Sequence, residues 1–253
     1  MPELVHLEVI NGVATITLDS QENRNALSEQ LMNELLGHLQ TCEKDPAVRV
    51  VVITHAGPVF CSGADLKAAS SGGMNTGALM VTMLRAIAAL PKPVVVKAAG
   101  AVRAGGLGIV GAADIAVTSE DQTFAFTEAR LGLAAAIISL TTLPRMDERT
   151  VTRWYLTGET FDGTAAARAG LVSIAVPAGQ LDLAMAETVA GLLQASPQGL
   201  AETKALLSRG LVRHIDEYGA DMVELSQRLF RSEEALEGMR AFKEKRKPAW
   251  AAK

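Results

Sequence analysis

Residues 106–111 read GLGIVG and fit G-x-G-x-x-G, the spacing with which dinucleotide-binding folds cradle a pyrophosphate. The stretch follows the apolar run PVVVKAAGAV, and an acid, Glu128, stands about 20 residues on, near the usual offset for ribose recognition. A nucleotide unit of that kind also needs a full crossover helix and a second strand that ends in the acid. Here DIAVTS already reads as a strand from Asp114, which leaves about two helical turns, too few for a crossover. Glu128 lies beyond EDQTFAF rather than at the end of that strand. The pattern therefore speaks against NAD.

The same glycines suit another chemistry. Gly105 and Gly106 fall at a strand-to-helix turn, where glycine lets a ligand approach the backbone and leaves N–H groups free. A free N–H at a helix start attracts negative charge, and two aimed at one oxygen make an oxyanion hole. A second small-residue turn, CSGADLK, follows another apolar strand. Either turn alone reads as a tight loop; the pair raises the oxyanion reading. Other chemistries find no support. The histidines, His6, His38, His55 and His214, are scattered without zinc spacing. Cys42 and Cys61 make neither a disulfide framework nor a metal cluster, and there is no G-x-S-x-G elbow.

These turns must be held by a frame. LVHLEVINGVATITLD alternates on both sides of Asn11-Gly12 and predicts a hairpin. Ser28 caps a helix carrying Leu31, Leu35, Leu36 and Leu39 at helical spacing. VRVVVITHAG predicts a buried strand, VFCSGADLKAASSGG a loop with Asp65 capping a turn, and MNTGALMVTMLRAIAAL a helix stopped by PKP. VVVKAAG and DIAVTS are further strands, so strand and helix alternate and an α/β architecture with parallel pairing follows. Segments 50–67 and 94–112 look alike, each a strand, a small-residue loop and a helix. From Glu148 onward helices dominate, with one short strand at LVSIAVP. Amphipathic stretches fall at 182–194, 197–209 and 218–246, with a helix start at Ser232, and a soft boundary falls near residue 195.

The chain has 253 residues, 49% hydrophobic and 21% charged, with a net charge of −4. That suits a globular core and argues against a nucleic-acid surface. The start lacks the features of a signal peptide, no apolar run is fit to span a membrane, and a cytoplasmic setting is expected. The basic run KEKRK, Lys243 to Lys247, reads as a solvated helix end.

Five ordered motifs, NRNALS, VFCSGADLK, KPVVVKAAGAVRAGGLGIVGAADIAVTSEDQTFAFTEARLGL, TGETFDGTAAARAGLVSIAVP and EGMRAFKEKRKPAW, together resemble the enoyl-CoA hydratase/isomerase (crotonase) superfamily over about residues 3–250. The resemblance implies an α/β, crotonase-like spiral of ββα units over 1–195. It implies a C-terminal helical region over 196–253 for oligomerisation and CoA capping, and assembly as a homotrimer or hexamer. It implies an acyl-CoA thioester substrate, no metal, and no cofactor beyond the coenzyme A that the substrate carries. The backbone N–H groups of Ala64 and Gly105 then bind the thioester oxygen, so the glycine stretch serves an oxyanion rather than a pyrophosphate. Glu128 matches one of the two family acids; the other position is Gly108. A lone acid at the second position suits a shift of a 3-enoyl to a 2-enoyl double bond, whereas hydratases carry both. A second departure is LAAAII, Leu133 to Ile138, in place of the usual Pro-Gly in the acyl-pocket wall. Both departures also keep open a protein that binds acyl-CoA with little catalysis.

The resemblance places Arg24, Asn25 and Ala26 near the adenine and phosphates, and Ser62, Asp65, Leu66, Lys67 and Gly106 along the substrate. Phe242 and Lys245 match positions that reach a CoA on the same or a neighbouring subunit, which gives the basic run a second reading as a phosphate clamp. Glu128, a surface or capping residue on composition alone, needs an apolar pocket to act as a base near neutral pH. Phe124, Phe126, Leu131 and Leu133 are candidates for that pocket, and Arg130 would oppose it by favouring the anion. Arg103 reaches either the acyl group or solvent. Asp114 opens a buried strand and is expected to satisfy backbone groups.

Overall fold

The computed structural model describes residues 2–65 and 76–251. Strands β1 (Val5–Ile10) and β2 (Val13–Leu18) form the expected hairpin. Asn11 (φ 50°) and Gly12 (φ 84°) supply the two left-handed residues that its turn requires. Helix α1 (Glu29–Lys44) starts where the Ser28 side chain accepts the Leu31 N–H and buries Leu31, Leu35, Leu36 and Leu39. A cap of this kind contributes about 1 kcal/mol.

A pattern then repeats. Strand β3 (Val50–His55) is followed by short β4 (Val59–Cys61), with helix α2 (Thr76–Ala89) beyond. Strand β5 (Val94–Ala98) is followed by β6 (Ala101–Arg103) and helix α3 (Gly105–Ala112). Strand β7 (Ile115–Ser119) is followed by β8 (Thr123–Ala125), a 3-10 turn at Glu128–Leu131, and helix α4 (Ala136–Thr142). In the described residues the likeness between 50–67 and 94–112 is a long strand, a short strand and a turn, two windings of a spiral with a third at 115–142, while the helix expected by residue 67 lies outside them. The long strands pair in one sheet of order β1-β2-β3-β5-β7-β10 and the short ones in a second, β4-β6-β8-β9. Pairing is parallel except at β1–β2 and β8–β9.

The remaining elements are α5 (Glu148–Thr157), β9 (Phe161–Asp162), α6 (Gly163–Arg168), β10 (Ile174–Val176), α7 (Leu181–Gln194), α8 (Pro197–Phe230) and α9 (Glu233–Lys243). Strand β3 is covered on both faces. Val51 and Ile53 join the main core with α1 and α2, while Val50 and Val52 pack with Leu181 and Met185 of α7. No helix among the described residues is long and apolar enough to cross a membrane.

Two expectations are corrected. VFCSGADLKAASSGG is not loop throughout, because Val59–Cys61 pairs with β6 as a strand too short to show a period. The separate helices at 197–209 and 218–246 are instead one 34-residue helix followed by α9. Nothing between Arg209 and Tyr218 breaks the chain, and Lys204, Ser208, Leu211, Ile215 and Gly219 form one continuous buried stripe. Ser232 does cap α9, accepting the Ala235 N–H.

Candidate active site

Strands β4, β6 and β8 run parallel and side by side, so their carboxyl ends open at one edge, where open parallel sheets place their sites. Each strand delivers one candidate residue just past its end. Ala64 follows Cys61 by three residues, Gly105 follows Arg103 by two, and Glu128 follows Ala125 by three. The Ala104 N–H donates to the Ala125 carbonyl (3.1 Å) and ties the second and third ends together. The first two turns also touch. A Cβ built on Gly105 would lie 3.6 Å from Ala64 N, and one built on Gly63 would lie 3.6 Å from Gly105 N.

Gly105 opens α3, so its N–H has no acceptor within the helix. Ala64 bridges to Leu27 in parallel fashion, and that bridge uses the Leu27 N–H on the Gly63 carbonyl (2.8 Å). Between the two turns, Ala104 holds φ 44° and ψ −117°, a conformation that costs a non-glycine residue on the order of 1–3 kcal/mol. It turns β6 sharply into α3.

The rest of GLGIVG is accounted for by packing. All eight residues of α3 are buried. A Cβ would meet Cys61 Cβ at 2.8 Å from Gly106, Ile138 Cγ2 at 2.8 Å from Gly108, and the Thr141 carbonyl oxygen at 2.7 Å from Gly111. The glycines let a short helix pass between β4 and α4. At the far end of α3, Arg145 donates to the carbonyls of Gly111 (3.2 Å) and Ala113 (3.1 Å), a cation at the negative end of the helix. No sequence signal marks Arg145, which comes from beyond α4.

Glu128 as a whole is half-buried, but its Oε2 is sealed from solvent and has no hydrogen-bond partner among the described residues. Burial pushes its carboxyl up to about 7, opposed only weakly by its own backbone N–H. Phe124 and Phe126, two of the expected pocket residues, are fully buried, while Leu131 and Leu133 are partly so. Arg130 points elsewhere, its Nε donating to the Thr157 carbonyl (2.8 Å). Tyr155, absent from the sequence reading, packs its ring 4.3 Å from that of Phe126 and pairs its hydroxyl with Thr142 Oγ1. Its hydroxyl is raised by burial and, in smaller part, by the charge of Glu128.

The expected CoA residues divide. The segment 24–27 is laced to the Ala64 turn: Ser62 N donates to the Arg24 carbonyl (3.1 Å) and Ser62 Oγ to the Asn23 carbonyl (3.2 Å). Arg24 is exposed beside that turn, and Ala26 is buried. The Asn25 side chain is engaged in the fold, with Oδ1 accepting from Ser20 N and Nδ2 donating to the carbonyls of Ala56 and Val59. Asp65 is half-buried at the end of the turn, and Leu66 and Lys67 lie outside the described residues. Phe242 is 63% exposed on α9, and Lys245 follows with φ 53°. In the basic run, Arg246 is bound to Glu237 (2.6 and 2.9 Å) and Glu244 (2.6 Å), which holds the Glu237 carboxyl down at about 2.

Arg103 donates to the Thr123 carbonyl (2.6 Å) and hydroxyl (2.9 Å), bracing β6 against β8. Asp114 accepts the Val94 N–H (2.7 Å) and pairs with the buried Lys204 (2.7 Å), the structural role expected of it. Both cysteines are free and buried. Among the described residues no group of three or more His, Cys, Asp or Glu is placed to hold a metal.

Strand ends, paired turns and a buried acid on a ββα spiral define a class, and comparison with known proteins gives it a family. The enoyl-CoA hydratase/isomerase family model matches residues 8–253. A crystal structure of an enoyl-CoA hydratase from Mycobacterium avium superposes with a TM-score of 0.93 at 45% identity, covering 99% of this chain and 100% of that one. One from Shewanella pealeana gives 0.77 at 30% identity, covering 98% and 96%. The carnitinyl-CoA dehydratase of Proteus mirabilis is 30% identical over 99% of both chains. The chain belongs to the enoyl-CoA hydratase/isomerase family, with the crotonase fold.

Proposed function

We propose that the chain moves a proton between carbons of an enoyl-CoA thioester, with Glu128 as the sole acid/base and the N–H groups of Ala64 and Gly105 as the oxyanion hole. The observation that carries this reading is the carboxyl of Glu128, raised to about 7 with its Oε2 buried and unpartnered, on the turn that follows β8 beside the paired turns. The Glu128 carboxylate takes a proton from C2 of a 3-enoyl thioester. The electron pair spreads to the thioester oxygen, where each N–H stabilises it by about 3 kcal/mol. Return of the proton to C4 leaves the conjugated 2-enoyl thioester. No metal or redox partner enters these steps, and coenzyme A arrives with the substrate. Arg24 on the rim, Asp65 of the turn, Lys67, and Phe242 and Lys245 of the C-terminal segment are the groups proposed to meet the CoA moiety. We place the reaction in fatty-acid metabolism and the working form as a homotrimer or a hexamer.

Hydration of a 2-enoyl thioester is the second reading, favoured by the names of the relatives above. Glu128 would then both position water and move its proton. Purified protein mixed with 2-enoyl-CoA and, separately, 3-enoyl-CoA of matched length decides between them through the absorbance of the conjugated thioester. A gain from the 3-enoyl ester means isomerisation, and a loss from the 2-enoyl ester means hydration. No change over several chain lengths, with CoA-ester binding intact by calorimetry, rejects both in favour of a binding protein.

A further inference from the structure

We infer that the side chain of Ile138 decides which of these reactions the site performs, by filling the space a second proton-transfer group and its water would need. The inference rests on the proposed roles of Glu128 and of the two amides, and it adds the residue that sets the outcome.

Gly105 and Gly108 are three residues apart on α3 and share a face. From Gly105 that face looks past Leu27 and Met80 toward Ala64 N; from Gly108, one turn on, it meets Ile138 Cγ2 at 2.8 Å, Ile138 Cβ at 3.3 Å and Leu84 Cδ1 at 3.3 Å. Any side chain at 108 therefore leaves the helix on the side of the amide pair and runs into Ile138. Ile138 cannot readily give way. It is 2% exposed and β-branched, so its χ1 is stiff. Its helix is pinned to α3 at that level, because Thr141 Oγ1 donates to the Gly108 carbonyl (2.9 Å). The two departures from the family pattern, Gly108 and LAAAII, are thus one feature seen from two helices.

The chemistry follows from what that wall lacks. Hydration requires water to bond to C3 while a proton is delivered to C2, and a held water needs two to four polar partners. Methyl groups of Ile138 and Leu84 offer none. The double-bond shift needs only the carboxyl of Glu128.

Four proteins test this: wild type, Gly108→Glu, Ile138→Ala and the double variant, each assayed for hydration of 2-enoyl-CoA against isomerisation of 3-enoyl-CoA, with Tm recorded. Gly108→Glu alone is expected to lower Tm by about 3–8 °C and to gain no hydration. The double variant is expected to recover most of that loss and to raise the hydration-to-isomerisation ratio at least ~10-fold over wild type. A stable double variant with the wild-type ratio overturns the inference. So does a Gly108→Glu protein as stable as wild type that hydrates as well as the double. An alanine cycle, Gly108→Ala with and without Ile138→Ala, reads occupancy alone. Loss of Tm only when Ile138 is present supports the contact, and no loss in either background overturns it, even if the glutamate variants do not fold. Failure of the site reading shows separately, as a Glu128→Gln enzyme with unchanged turnover of both esters.

Discussion

At residue scale, burial gives Glu128 opposite effects on catalysis and on stability. In the proposed mechanism the carboxylate is the proton acceptor, so kcat/KM is expected to rise with pH along a single limb and level off above about 7. A pH–rate profile checks this; a limb near the ordinary carboxylate range would mean that the pocket is wet. Glu128→Gln keeps size and shape but cannot accept the proton, so turnover is expected to fall at least ~100-fold while calorimetry still shows CoA-ester binding. The same burial weakens the fold. Below the ordinary carboxylate pKa both states carry the proton and nothing is lost. As pH rises from there to about 7 the unfolded chain ionises first, so the folded state loses up to about 3 kcal/mol. Chemical unfolding should therefore show Glu128→Gln more stable than wild type at pH 8 and no different near pH 4. Equal stability at both ends would show a solvated carboxyl.

At the scale of elements, the turn that carries Glu128 is held by a helix more than a hundred residues later. Helix α9 lies on the 3-10 turn so closely that a Cβ on Gly238 would collide with the Leu131 carbonyl, and one on Gly132 would come within 2.7 Å of the Glu234 backbone. Gly238→Ala is expected to shift the turn and lower kcat about 10-fold or more, since small misplacements of a catalytic group cost that much or more. CoA-ester affinity should change little, and kinetics with parallel calorimetry separates the two. An unchanged kcat would mean that the turn holds its shape without α9. This docking was not legible in the sequence, where EGMRAFKEKR shows only an amphipathic helix. The hairpin, Ser28 and the long buried strands were legible, because each has a period or a turn residue within a few positions. Strands β4, β6 and β8 were not: three residues carry no period, and they exist only because parallel neighbours pair with them. The site was half legible. Motif order gave Ala64, Gly105 and Glu128, but Arg145, Tyr155 and the seat of Ile138 against Gly108 depend on contacts between distant segments.

At the scale of the molecule, an apolar groove of about 220 Å³ lies open on the surface between the end of α4 and α5, lined by Leu143, Val151, Thr152, Tyr155 and Leu156. Leu156 is 75% exposed and Leu143 46%, high for large aliphatic residues set side by side. If copies of this chain cover the groove, light scattering of the wild type should give three or six times the 26.6 kDa chain mass. Leu156→Asp should then reduce it toward a single chain. An exposed substitution costs a lone subunit little stability, so loss of mass with Tm nearly kept would report the interface rather than the fold. A monomeric wild type would refute the assembly, and a Leu156→Asp protein of full mass would place the interface elsewhere. The groove also bears on the site, because Tyr155 is at once its floor and the neighbour of Phe126, within the electrostatic reach of Glu128. The lone chain seals Glu128 Oε2 and holds its carboxyl at about 7 with the groove open, so the dissociated variant should keep the limb of its pH–rate profile near 7. A limb that moves below 7 on dissociation would show that a neighbouring copy, and not the spiral alone, keeps Glu128 dry.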